Sequence, residues 1–237
     1  MGVKERHERE RAAVRQAILG AARELFTAEG YRNVSMRKIA DRIEYSPAAI
    51  YSYFDSKDEI FFALAEEGYR RLAERVGAVL AGIDDPLDAL RRALWAFYLF
   101  GKENPEYFEL MFLDRSVPSL AHDIERFEFF QHVTARGEAA IRSLIDAGVF
   151  KRGLDPAAAL HILWAALLGP ASLALAERLG PGENPDALAR DILETILAGF
   201  RAGVATTFDA LECPMRAATH TGDVRPAAAG QDDATQS

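Results

Sequence analysis

A small polar residue followed directly by proline occurs five times in this chain of 237 residues, as Ser46-Pro47, Asp85-Pro86, Asn104-Pro105, Asp155-Pro156 and Asn184-Pro185. A Ser, Asp or Asn just before a helix can accept a free amide of the first turn. Proline at the first helical position fixes φ where no donor is needed. Each pair therefore predicts a helix start. Apolar residues at helical spacing follow: Leu87, Leu90, Leu94, Phe97 and Tyr98 after Pro86; Leu160, Leu163, Trp164, Leu167 and Leu168 after Pro156; Leu188, Ile192, Ile196, Phe200 and Val204 after Pro185. No segment alternates polar and apolar residues with β-branched enrichment, so the expectation is an all-α chain of about nine helices with no sheet.

The rest of the chain reads the same way. Val14, Ile18, Ala22, Leu25 and Phe26 form one stripe that stops at Gly30. Ser35 opens a short helix bearing Met36, Ile39, Ala40 and Ile43. Ser56 and Glu59 have the spacing of a capping box, each satisfying the other's end amide. A middle helix is expected from near Ser119 to Ala147, and residues 211–237, rich in Pro, Ala, Gly, Thr and Asp, are expected to form a disordered tail. Apolar runs are broken at Lys102, Glu103 and Gly169-Pro170, so none is expected to reach the roughly 20 residues that cross a bilayer. The mixed charges at the N-terminus do not have the order of a secretory signal, and a single cysteine, Cys213, excludes an intramolecular disulfide framework. Together these predict a cytoplasmic protein with no membrane partner.

The net charge of −8 argues against a nucleic-acid partner until its distribution is read. Residues 1–60 hold eleven Lys/Arg against ten Asp/Glu, while the whole chain holds 28 against 36. The acid excess lies beyond residue 60. Lys4, Arg6, Arg9, Arg11 and Arg15 make the N-terminal end the candidate phosphate-facing surface.

Residues 35–54, SMRKIADRIEYSPAAIYSYF, carry the functional signal. Two helices of about two turns are separated by Glu44-Tyr45, and Ser46-Pro47 restarts the chain. Ile39, Ala40 and Ile43 supply one inner face, with Ala40 small enough for a close crossing; Ala49, Ile50 and Phe54 supply parts of the other. This is the pattern of a helix-turn-helix, whose second helix enters the major groove. Ser46, Pro47, Ala48 and Ala49 let backbone approach closely, Tyr51, Ser52 and Tyr53 offer hydroxyls, and Arg37, Lys38 and Lys57 offer phosphate contacts. The same pattern also suits a helical hairpin with exposed tyrosines and no DNA.

The run from Ala13 to Gly68 resembles the N-terminal domain of the TetR family, through LFTAEGYRNVSMRKIADRI followed by SPAAIYSYFDSKDEIF. Phe26, Gly30, Tyr31, Ser35, Ile39, Ala40, Ser46, Tyr51, Phe54 and Lys57 occupy the family's fixed places. The resemblance implies DNA contacts at Ser35, Met36, Arg37, Tyr45, Ser46, Pro47, Ala48, Ala49, Tyr51, Ser52, Tyr53 and Lys57. Glu44 departs from the family, whose turn has glycine there, and implies a strained or reshaped turn. The implied organisation is a DNA-binding domain over 1–56 with a flexible arm at 1–11, a ligand-binding and dimerisation domain over 57–210, and the tail.

The resemblance further implies a homodimer on a palindromic operator, acting as a repressor released by a small apolar or aromatic effector that pushes the helix at 57–80. Trp95, Tyr98, Phe108, Met111, Phe112, Phe127, Phe130 and Trp164 are the candidate effector-contacting residues, and for any single aromatic among them plain core packing is the leading alternative. Helices at about 156–179 and 185–209, apolar over more than one stripe, are the expected dimer interface. The segment HILWAALLGPASLALAERLG also resembles the C-terminal domain named for Trp, His and Gly. Trp164 and Gly169 fit it, but Leu168 stands where histidine is expected.

Two rival classes use the same residues differently. A helical ligand carrier would keep the hairpin only as scaffold, as Glu44 and the small N-terminal charge excess suggest. A helical-bundle enzyme would use His122 and His132, with Asp123 and Glu128 nearby, on a metal. No glycine-rich phosphate loop or GxSxG elbow is present, so the expectation is no catalytic residue, no metal and no cofactor.

Overall fold

The structure, a computed structural model, describes residues 2–114, 117 and 128–203, and among these it holds nine α-helices and no strand. They are α1 (Val3–Glu29), α2 (Met36–Arg42), α3 (Pro47–Tyr51), α4 (Lys57–Leu80), α5 (Pro86–Glu103), α6 (Pro105–Phe108), α7 (Glu128–Asp146), α8 (Pro156–Leu175) and α9 (Pro185–Ala202). A 3-10 turn at Tyr31–Asn33 joins α1 to α2, and a π-helical turn at Glu109–Leu113 continues α6. Tail residues 211–237, the start of the middle helix, and Phe127, His122, Asp123 and Val204 lie outside the described residues, as does the side chain of Phe130.

All five polar-proline pairs start helices. Ser46, Asp85, Asp155 and Asn184 each accept a first-turn amide through the side chain. Asn104 does not: its amide donates to Phe100 O at 3.2 Å, because α5 ends there and its last carbonyls compete. Ser56 caps α4 through Glu59 N–H, but the Glu59 carboxylate accepts from Asp55 N–H at 2.8 Å, one residue upstream of the expected partner. Helix α8 ends at Leu175 rather than 179, and α9 closes at Ala202 on left-handed Gly203.

The core is continuous from Ile18 on α1 through Ile39, Ile50, Phe61 and Leu64 to Tyr98, Phe108, Leu163 and Leu197. Helix α4 joins its ends, packing on α1 and on α5. Two expectations differ from the structure. Residues 3–11, expected as part of a flexible arm, are helical, with Gly2 N–H donating to Glu5 and Arg6 paired with Glu10 at 3.5 Å. Not every apolar run is too short to cross a bilayer: α8 is 20 residues long with a mean hydropathy of 1.7. Pro170 does not interrupt it, being buried inside the helix. Only a third of α8 is buried, although it packs on α5, α7 and α9. Its exposed residues, His161, Ala165, Gly169 and Leu173, form one narrow strip, and the others are half-buried.

Candidate nucleic-acid interface

Helices α2 and α3 cross with Ala40 and Ile50 fully buried between them. The turn joining them closes α2 by a Schellman pattern: Tyr45 N–H donates to Ala40 O at 3.0 Å and Glu44 N–H to Asp41 O at 3.3 Å. Such a closure needs one left-handed residue, and Glu44 takes it at φ 59°. The departure from glycine read in the sequence is therefore a left-handed glutamate in an otherwise ordinary turn.

Beyond the turn, Ser46 Oγ accepts from Ala49 N–H at 3.2 Å and fixes the first turn of α3. Tyr45, Ser46, Ala48, Tyr51 and Ser52 are exposed, with Tyr45 at 43% and Tyr51 at 50% the most open aromatics described. Two large rings standing in water, one in the turn and one at the end of the five-residue α3, gain nothing from the core, and their hydroxyls can meet a polar surface. Pro47, Ala49 and Tyr53 are half-buried. On α2, Ser35 is exposed as the N-cap, accepting from Lys38 N–H. Arg37 is exposed and only loosely paired with Asp41 at 3.9 Å.

Two residues of the expected contact set face elsewhere. Met36 is buried at 9%, because it is an inward position of a short helix whose other inner residues are only Ile39 and Ala40. Its side chain serves the core, and only its backbone amide could meet a phosphate. Lys57 turns inward: Nζ donates to Tyr31 O at 2.8 Å and Val34 O at 3.0 Å and lies 4.0 Å from the Tyr31 ring centre. The Tyr31 hydroxyl in turn donates to Asp58. Lys57 thus ties α4 to the turn before α2, with one donor to spare. Arg11 and Arg15, read in the sequence only as part of a basic N-terminal end, lie beside the end of α3. Arg11 donates to Ser52 O at 3.4 Å and lies 5.4 Å from the Tyr53 ring, and Arg15 lies 5.0 Å from the Phe54 ring. Their seven- and three-residue spacing to Ile18 was the available signal.

A polar joint links this domain to the rest. Arg23 on α1 donates to Tyr107 Oη at 2.6 Å, and Arg71 on α4 donates to Glu67 at 2.8 and 3.2 Å. Both guanidinium carbons lie within about 5 Å of the Tyr107 ring centre. Burial pushes the Glu67 carboxyl up, but hydrogen bonds from Arg71 and Tyr107 and the charges of Arg71 and Arg23 outweigh it and hold the group below the usual glutamate range.

Three of the expected effector residues, Phe108, Met111 and Phe112, come together with Phe97 and Tyr69, ring centres 5.2–6.1 Å apart. Met111 is packed so closely on Gly68 that a Cβ there would lie 2.4 Å from its sulfur. Trp95 and Tyr98 stand apart from that cluster, stacked at 5.0 Å and facing α9: Tyr98 donates to Asp186 at 2.7 Å and Trp95 packs beneath Arg190. Trp164 is half-buried on α8 beside His161. His132 is exposed on α7, and no cluster of three metal-ligating side chains occurs among the described residues.

Residues 18–64 match the family description "Bacterial regulatory proteins, tetR family", and residues 87–196 match "Tetracyclin repressor-like, C-terminal domain". The Trp-His-Gly type finds no support beyond Trp164 and Gly169. HbdR of Aromatoleum sp. (strain CIB), an HTH-type transcriptional regulator, is 30% identical over 83 residues, 35% of this chain and 36% of HbdR. The chain thus spans about a third of that relative's length. The TetR-family regulator PfmR of Thermus thermophilus superposes with a TM-score of 0.61 at 28% identity, covering 76% of this chain and 97% of PfmR. The fold is also shared with FadR of Bacillus subtilis, solved with stearoyl-CoA: TM-score 0.66, 19% identity, 78% of this chain and 98% of FadR.

Proposed function

The chain belongs to the TetR family of bacterial regulatory proteins, and from that premise we propose that it is a sequence-specific, homodimeric transcriptional repressor released by a small apolar or aromatic effector. Residues 1–56 form the DNA-binding domain and 57–210 the effector and dimer domain. The observation that carries the reading is α3, a short capped helix held off the body with Tyr45, Ser46, Ala48, Tyr51 and Ser52 open to solvent. The double-stranded operator is palindromic, because two copies related by a dyad present two such helices about 34–36 Å apart.

Support for the dimer comes from α8 and α9. On α9, Asp186, Arg190 and Glu194 bind α5, and Ala189, Leu193 and Leu197 are buried, leaving Leu188, Ile192 and Ile196 as a half-covered apolar stripe. Helix α8, which packs on α9, carries the exposed Leu173. Support for effector release comes from the joint: a ligand that displaced the Phe108–Met111–Phe112 cluster would move Tyr107, which is bonded to α1 through Arg23 and to α4 through Glu67. The effector can weaken DNA binding only by its preference for the non-binding arrangement.

A band shift on palindromes from the neighbouring promoter, at several salt concentrations, tests the reading. Binding that weakens steeply with salt and is lost in Tyr51→Ala is the expected result. No salt-sensitive binding to any candidate operator would remove it.

A further inference from the structure

Helix α1 is longer than its domain needs. It runs from Val3 to Glu29, yet every residue from Lys4 to Ala13 is exposed, and burial begins in earnest at Ile18. At 1.5 Å per residue, roughly 15 Å of helix stands clear of the body. With 100° between successive residues, Lys4, Arg11 and Arg15 fall on the same face as Ile18 and Ala22. The face that is buried further along is therefore basic where the body stops. Arg11 and Arg15 also show what this face overhangs: the C-terminal end of α3, through Ser52 O, Tyr53 and Phe54.

The acidic residues of this stretch do not cancel that stripe. Glu5 and Glu10 lie on the two flanks, about 100° from Lys4 and Arg11, where Glu5 accepts from Gly2 N–H and Glu10 pairs with Arg6. Glu8 borders the stripe, against three cations. In a chain of net charge −8, an uncovered basic face continuous with the recognition helix matches a polyanion lying along that same side.

We infer that the first three turns of α1 are a preformed outrigger that lies along the phosphate backbone of the duplex beyond the segment contacted by α3. The inference rests on the DNA-binding reading above. Lys4 and Arg11 supply sequence-independent contacts, and because the segment is already helical they require no folding on binding. The reach from Arg15 to Lys4 is about 16 Å, or roughly five base pairs at 3.4 Å each, added to each half-site.

The test compares Lys4→Gln/Arg11→Gln with Arg6→Gln/Arg9→Gln, which removes equal charge from the opposite face. Fluorescence anisotropy on the operator, read against salt concentration, gives the number of phosphates engaged. The first variant should lower the slope of log K on log salt by about 3–4 per dimer, at roughly 0.9 per phosphate, and the second by less than about 1. Trimming about five base pairs from each end of the duplex should abolish the difference between wild type and the first variant. Lys4→Gln alone, remote from α3, should take about half the effect; an affinity loss in the double variant with no change of slope would mean Arg11 only braces α3 and would overturn the inference. Equal slope changes in both double variants, or none in either, would overturn it too. Failure of the wild type to bind any operator would instead defeat the parent reading.

Discussion

Replacing Glu44 with glycine should stabilise the protein. Glu44 holds φ 59° at the residue that lets the Schellman closure form, and its side chain is exposed, so it offers no packing to lose. A side chain in the left-handed region costs about 1–2 kcal/mol, from Cβ crowding the following carbonyl. Glycine removes that cost but loses about 0.5–1 kcal/mol through its freer unfolded chain. The balance is a gain of about 0.5–1 kcal/mol per protomer, a rise in Tm of roughly 1–4 °C for a chain of this size. Thermal melts by circular dichroism, with urea titrations at unchanged slope, would measure it. Glu44→Ala keeps Cβ and should show no such gain, while Glu44→Gln separates charge from strain. Equal stabilisation by alanine and glycine, or a loss on glycine, would show that this turn is not strained in the way its φ implies.

Close packing between α5 and α6 predicts that Gly101→Ala destabilises by about 1–3 kcal/mol, because a Cβ there would lie 2.7 Å from the rigid Phe108 ring. Gly77→Ala, with nothing within 4 Å, should instead gain up to about 1 kcal/mol from helix propensity; a urea titration of the pair checks both signs. Glu67 has its folded pKa held below its unfolded value, so its contribution is present above the ordinary glutamate range and disappears as pH falls through the folded value. Wild type should therefore lose more stability than Glu67→Gln between about pH 5 and 3, and parallel pH profiles would refute the assignment. Leu173→Glu combined with Ile192→Glu should yield a folded monomer by light scattering, with operator affinity down at least tenfold, since each places a charge on the proposed dimer surface of α8 and α9.

The helix starts were readable because capping is local chemistry: Ser46, Asp85, Asp155 and Asn184 act on amides two or three residues away. The strained turn was readable for the same reason, as a glutamate where a left-handed residue was needed. The inward turn of Met36 and Lys57 was not legible because their surroundings come from distant sequence. Lys57 is captured by two carbonyls 23 and 26 residues upstream, and no local pattern announces that. The Arg23–Tyr107 contact spans 84 residues and was equally invisible. Phe108 on α6 meets α5 at Phe97, whereas Trp95 pairs with Tyr98 toward α9; both were read as effector contacts, and only packing separates them.

On the dimer reading proposed above, the exposed strip of α8 ties the stability of each polypeptide to how many others are present. Half of this apolar helix is only partly covered, and His161, Ala165, Gly169 and Leu173 stand exposed along one strip, so on the dimer reading newly made chains gain by finding one another. Resistance to heat should then climb with concentration, as mass action requires of any assembly that masks what the lone subunit leaves bare. Scarcity alone would dismantle such a molecule, with no small molecule involved.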